Sequence, residues 1–279
     1  MKGKKTISSI VIYLLISLLG LVMLYPLIWM IFAALKPSKE VLSSPSLFPS
    51  EFRFDNFPAG WKLVRPYTFD KFFINTFVLV ITCVICSLII SLFVGYAFAR
   101  VNFRFKTFWY SVLFLTIMLP ATATLVSKYV IFSKIGWLNT YLPFIIPAAL
   151  GVGNGGGFFI YLVAQFIRGI PKELDEAAKI DGATYFQILR KITFPLVRGT
   201  TYNLTIIGVI GALKQYDLVA SLTGGGPANS TQTFATYLYE AAFTNYEQGY
   251  ASAIAVVMFL IAGVITVFQL RLYNSKTIY

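Results

Sequence analysis

The chain has 279 residues, of which 57% are apolar and only 12% charged, with a mean hydropathy of +0.74, no histidine and a net charge of +12. A soluble domain of this size carries about 25% charged residues, so a surface that faces water all round is excluded. The missing histidines, and the lack of a metal-ligand or nucleophile constellation, exclude an enzyme.

The segments follow in chain order. Met1-Lys-Gly-Lys-Lys precedes an uncharged run, Ile7–Leu35, longer than the about 20 apolar residues that cross a bilayer as a helix. It lacks a small-residue cleavage site and is expected to stay as an anchor rather than leave as a signal peptide. "LKPSKEVLSSPSLFPSEFRFDNF" follows, an irregular loop by its prolines and serines, with aromatics suited to a membrane interface. The run Phe72–Ala99 is the second expected span, and Cys83 and Cys86 sit inside it at i, i+3. Two thiols make a poor metal site, so they read as packing residues. "ARVNFRFK" is a tight turn into Thr107–Ser127, where Pro120 can kink or break the helix. The fourth run, Ile135–Ile167, holds Pro143 and "LGVGNGGGFF", whose five glycines and Asn154 allow two readings. One is close helix packing; the other is a locally unwound backbone along a water-filled path. Gly199–Leu213 leads to Lys214, Gln215, Tyr216 and Asp217, and Gln248–Leu270 is the last long run.

These runs are continuous rather than alternating in polarity, so helices are expected and a barrel is not. The expectation is one all-α transmembrane domain over 1–279 with six spans, at about 8–34, 72–99, 107–130, 138–167, 197–221 and 248–271, and a charged segment at 168–196. With the amino terminus inside, 14 of the 23 Lys and Arg fall on the cytoplasmic side and 9 on the other; subtracting 4 and 7 acids leaves +10 against +2. The bias places both termini in the cytoplasm. It also accounts for the basic balance without nucleic acid.

The charged segment contains "EAAKIDGATYFQILRKITFP", Glu176–Pro195. Pro171 suits a first helical position, Lys172–Ile180 reads as a short helix, and Gly182 can take the left-handed conformation that ends it. Thr184 and Gln187 have capping-box spacing for a second helix running to about Lys191, before Pro195 admits the fifth span. Leu174, Ala177 and Ala178 share one side of the first helix, bordered by Glu176 and Asp181. Such a small-sided face suits a groove on another protein.

"EAAKIDGA", followed by "ITFP", resembles the EAA loop of permease subunits in bacterial binding-protein-dependent ABC importers, with Phe194 where the family has leucine. "LYPLIWMIFAALKPSKEV", "GYAFARVNFRFK", "IGWLNTYLPFIIP" and "IPKELDEAAKIDGA" are similar to carbohydrate permeases of the maltose-transporter type. The resemblance implies the type I ABC importer permease fold, with Glu176, Ala177, Ala178, Asp181 and Gly182 as the residues that dock into a separate ATPase subunit. It implies no cofactor on this chain, since ATP and Mg belong to two ATPase subunits. It also implies a second homologous permease subunit forming a heterodimer, an extracellular solute-binding lipoprotein, and a carbohydrate carried across the cytoplasmic membrane. "LTGGGPANSTQTFATYLYEAAF" and "GYASAIAV", within Leu222–Val256, look more like the other half of the usual permease pair.

The same resemblance places the sugar path between the two permeases, with Gln215 where the family offers polar groups to sugar. Asn154, Gln215 and Tyr216 could supply amides and a stacking ring. Lys214 has two readings: a pair with Asp217 at i, i+3, or a contact to the carboxylate of an anionic sugar. A stand-alone secondary transporter is the competing class. It would show inverted repeats and buried ionisable residues, and these spans carry almost none.

Overall fold

The computed structural model describes residues 2–59, 69–226 and 229–274, and every regular element among them is helical. In chain order these are α1 (Lys2–Ala33), α2 (Ser38–Ser43), α3 (Asn56–Ala59), α4 (Phe69–Arg100), α5 (Lys106–Met118), α6 (Leu125–Lys134), α7 (Leu142–Ala149) and α8 (Gly156–Arg168). There follow α9 (Glu173–Ile180), α10 (Tyr185–Ile188), α11 (Phe194–Leu196), α12 (Arg198–Leu213), α13 (Asp217–Leu222), α14 (Phe234–Tyr239) and α15 (Gln248–Asn274). Two compact units form: Met1–Phe69 with Tyr237–Leu260, and Asp70–Thr236 with Ile261–Tyr279.

Among the described residues, three helical stretches are long and apolar enough to cross a bilayer unbroken: Ser9–Ala33, Asp70–Arg100 and Gln248–Leu272. The other runs are interrupted. In place of one helix over 107–130, α5 ends before Pro120, a single 3-10 turn follows at Ala121–Thr124, and the axis bends by 99°. The cause is local, because proline lacks the N–H that would continue α5 and disfavours helix at the residue before it. In place of one helix over 138–167, α7 stops at Ala149 and α8 starts at Gly156. Gly151 takes φ +76°, the Gly151 N–H donates to the Ala148 carbonyl and the Val152 N–H to the Pro147 carbonyl. This is a glycine-terminated helix end in which the last carbonyls find donors. The glycine cluster is therefore an unwound connection in which the N–H groups of Gly151, Val152, Gly153 and Gly156 find backbone acceptors.

In the first unit, α1 is exposed along its apolar length. The following loop is closed on itself. Asn56 Nδ2 donates to the Ala34 carbonyl at 2.8 Å and the Lys36 carbonyl at 3.1 Å, and the Arg53 N–H to the Leu35 carbonyl at 2.8 Å. Lys36 is wholly buried and its ammonium donates to the Ser46 carbonyl. Ser38 Oγ accepts from the Gly249 N–H at the start of α15. A small core of Ala34, Ala253 and Val256 lies beneath, with Met30 and Phe57 against it.

The second unit is built around α4. Asp70 in its first turn and Arg100 in its last complement the helix dipole, and no proline interrupts the run. Leu79 and Cys83 pack with Phe132, Phe144, Val219 and Leu222. Further along, Tyr96 packs with Phe159, Val163, Ile167, Leu189 and Val197, and Phe98 with Leu113 and Ile160. Val80 and Val84 meet Leu213 and the part-buried Ala262 and Ile265. Each contact buries apolar area worth about 25 cal/mol per Å². Cys83 is buried in this core and no group of metal-ligating side chains occurs among the described residues.

Candidate functional site

The charged segment folds as two helical pieces around a sharp bend. The first, α9, begins at Glu173, two residues beyond Pro171, with Glu173, Asp175 and Glu176 in its first turn and Lys179 in its last. That order of charge suits the helix dipole. The helix ends as the sequence suggests: Gly182 has φ +81°, its N–H donates to the Lys179 carbonyl at 3.0 Å and that of Ala183 to the Ala178 carbonyl at 2.9 Å. The capping box at Thr184 is present: Thr184 N–H donates to Gln187 Oε1 at 2.7 Å and Gln187 N–H to Thr184 Oγ1 at 3.3 Å.

Beyond it the helical path does not stop near Lys191. It passes through a π turn at Leu189–Thr193 into α11 and reaches Leu196, and the axis bends by 69° before α12. Pro195 explains the bulge, for its missing N–H and its ring exclude the regular bond to the carbonyl four residues back. The Phe194 N–H donates instead to the Leu189 carbonyl.

The outer surface of this segment mixes exposed charge with large exposed apolar side chains. Ile180 is 86% exposed, Tyr185 and Phe186 are exposed, and the Lys179 ammonium lies 5.0 Å from the Tyr185 ring centroid. Glu176, Ala177 and Asp181 are exposed and Ala178 is half-buried. Asp181, Gly182, Ala183, Gln187, Ile188, Lys191 and Ile192 line an open groove of about 350 Å³. Four of the five residues expected to dock thus face outward, and two of them border the groove.

The residue holding the segment in place was not evident from the sequence. Asp175, one position before Glu176, points inward and pairs with Arg100 at the end of α4, Oδ2 to Nε 2.9 Å, with side chains only 9% and 7% exposed. Arg100 Nη2 also donates to the Ile170 carbonyl at 2.6 Å. Removing one member of such a pair leaves a buried charge without its partner, which costs about 3–5 kcal/mol. Nearby, Arg168 stacks on Tyr110 at 4.4 Å. Nothing in the local periodicity marks Asp175, because α9 has too few apolar residues to define an inner face.

The other expected residues are scattered. Asn154 sits at the break between α7 and α8 with φ +47°, its amide nitrogen buried and without a hydrogen-bond partner. Lys214 and Asp217 are exposed, and no ion pair joins them among the described residues, which corrects the i, i+3 pairing. The reason is geometric: α12 ends at Leu213 and α13 starts at Asp217, so the helical spacing that would bring them together is lost. Gln215 lines a cavity of about 10 Å³ with Thr76, Phe144, Val219 and Thr233, without Asn154. That is room for about one water.

A second polar cluster, also unforeseen, surrounds the amino end of α4. Asn75 Nδ2 donates to the Gln232 carbonyl at 3.1 Å, and the Tyr141 hydroxyl lies 2.8 Å from Asn75 Oδ1 and 3.0 Å from the Ser230 carbonyl. The Phe234 N–H donates to Thr76 Oγ1 at 3.1 Å. Asn75, Thr76, Thr231, Gln232 and Thr233 are all buried.

Against known proteins, residues 87–279 match the family described as "Binding-protein-dependent transport system inner membrane component". An ABC transporter permease of Caldicellulosiruptor sp. is 39% identical over 149 residues, covering 52% of this chain and 95% of that one. The diacetylchitobiose uptake system permease protein NgcG of Streptomyces coelicolor is 26% identical over 272 residues, covering 94% and 85%. Among solved structures, a bacterial ABC transporter involved in import of the acidic polysaccharide alginate superposes with a TM-score of 0.74 at 20% identity, over 98% of this chain and 97% of that one. A helical chain with an outward-facing bent segment and this family match over more than two thirds of its length belongs to the binding-protein-dependent transport system inner membrane component family, and is a transport permease component rather than an enzyme.

Proposed function

We propose that this chain is one permease subunit of an ATP-driven importer, passing a sugar or oligosaccharide across the cytoplasmic membrane with both of its own termini inside. It pairs with a second, homologous permease. Glu176, Ala177, Ala178, Asp181 and Gly182 dock into the cleft of a cytoplasmic ATPase, which binds and hydrolyses ATP with Mg. An extracellular solute-binding lipoprotein delivers the carbohydrate. The observation that carries this reading is the coupling segment, with its exposed Ile180, Tyr185 and Phe186 beside an open groove. Large exposed apolar side chains set among charges on a well-supported surface suit a protein partner. The relative named for diacetylchitobiose uptake supports the substrate class. Purified from its native membrane, the chain should bring two ATPase copies and a second permease with it, and uptake should stop with vanadate. A chain that transports alone and ignores vanadate would be a secondary transporter instead.

A finer reading follows from Lys214, an exposed cation without an ion-pair partner among the described residues at the end of α12. Left free by Asp217, it suits an acidic sugar's carboxylate, and the structural neighbour that imports acidic alginate is consistent with this. Lys214→Met should then weaken uptake of a uronic-acid oligosaccharide about tenfold to hundredfold, the range for a hydrogen bond to a charged group, and spare a neutral one. Adding Asp217→Leu should not restore it. Equal loss for both sugars, or rescue by the second change, would return Lys214 to a structural role.

A further inference from the structure

We infer that α4 is a strut joining the coupling segment to residues 229–234, pinned at one end by Arg100 and Asp175 and at the other by Asn75 and Thr76. The inference rests on the permease reading above and adds a transmission route to it. At one end, Arg100 holds α9 twice, through the buried ion pair to Asp175 and the bond to the Ile170 carbonyl. A helix held at a side chain in its first turn and at the backbone just ahead of it cannot shift without carrying Arg100 along. At the other end, Asn75 and Thr76 are 3% and 1% exposed and bind the backbone at Gln232 and Phe234. Tyr141 at the start of α7 closes that cluster onto Ser230. Between Asn75 and Arg100 the helix is continuous and free of proline, spanning roughly 38 Å at 1.5 Å per residue. Packed helices behave as stiff bodies with discrete arrangements, so displacement at one pin is carried to the other. Both pins are buried and polar, and each includes directional hydrogen bonds: Arg100 Nη2 to the Ile170 carbonyl at one end, Asn75 to the Gln232 carbonyl and the Phe234 N–H to Thr76 at the other, with the Arg100–Asp175 contact a close ion pair. This gives Arg100 and Asp175 a positioning role distinct from the outward-facing Glu176.

The test uses the whole importer in nanodiscs, with Cys83→Ala and Cys86→Ala as background and Ser230→Cys as reporter at the far end. The probe is ATP with vanadate, which needs no knowledge of the sugar. The rate of maleimide labelling at the reporter, counted on trapped complexes, should change about fivefold or more on trapping, the lower end of ordinary site-to-site coupling. With Arg100→Met or Asp175→Asn the change should fall below about twofold. Combining Arg100→Met with Asp175→Leu, which puts an apolar contact where the pair was, should regain part of it. Arg100→Lys, which keeps the charge but loses the planar fork, should be intermediate and serves if Arg100→Met does not assemble. Single variants that keep the full response overturn the strut, as does a trapped wild-type complex with no change at the reporter. A wild-type complex that cannot trap nucleotide at all overturns the permease reading instead.

Discussion

At Gly182 the backbone holds φ +81° with no atom within 4 Å of where a Cβ would lie. A side chain there would meet no clash, so only left-handed backbone strain, about 1–2 kcal/mol for an ordinary residue, opposes it. A β-branched side chain suffers most and asparagine least. Gly182→Val should therefore cut uptake about fivefold to thirtyfold while the permease stays in the membrane, and Gly182→Asn should keep most of it, measured as uptake per immunodetected permease. Normal uptake by the valine variant would mean that the bend is dispensable for docking. This position was legible from the chain alone, because the glycine, the helix before it and the Thr184/Gln187 cap form a local pattern between Glu173 and Gln187. Asp175 was not. Its neighbours Glu176 and Lys172 are just as charged, and only the approach of Arg100 from another helix selects it for burial.

At the scale of elements, proline and glycine decide where apolar runs stop being straight. Pro120 and Pro195 produced a 99° bend and a π turn, and the glycines of Gly151–Gly155 an unwound link. Each effect is local and its site was foreseeable; a break at Pro120 and an unwound link at the glycines were among the forms the sequence allowed, whereas the π turn was not, because hydropathy counts residues and is blind to a missing N–H. The loop between α1 and α3 is a different case, a polar element that folds through side-chain bonds. The Glu40 carboxylate accepts from Ser50 Oγ at 2.6 Å and from the Ser50 N–H. These bonds, the hydroxyl's first, hold its pKa below the usual glutamate value, with Lys36 adding a smaller pull in the same direction. A carboxyl lowered on folding contributes stability above its unfolded pKa and loses it as pH falls through the folded one. Protease cleavage between Ser43 and Ser50 should accordingly rise below about pH 4. In Ser50→Ala the cleavage should already be high at neutral pH and depend less on acid. A loop whose cleavage is the same at every pH in both proteins would show that the bond has no part in closing it.

For the whole molecule, the distribution of lysine and arginine makes a claim about sidedness. Leu42, 76% exposed in α2, should lie outside the cell, and Glu173 at the start of α9 inside. In a background lacking Cys83 and Cys86, Leu42→Cys should be labelled by an impermeant maleimide in intact cells, and Glu173→Cys only after permeabilisation. The opposite pattern would invert the orientation. The sequence by itself determined the helical membrane class and the bend and cap of the charged segment, because length of apolar run, composition and short-range hydrogen bonding are properties of neighbouring residues; the transport family came from the resemblance carried by "EAAKIDGA" and "ITFP". Only the tertiary structure decided that Asp175 faces inward onto Arg100 and that Asn75 and Thr76 tie α4 to residues 229–234. The physical reason is that a polar side chain is equally at home in water or in a satisfied buried pair. Which of the two it adopts depends on which distant helix arrives beside it.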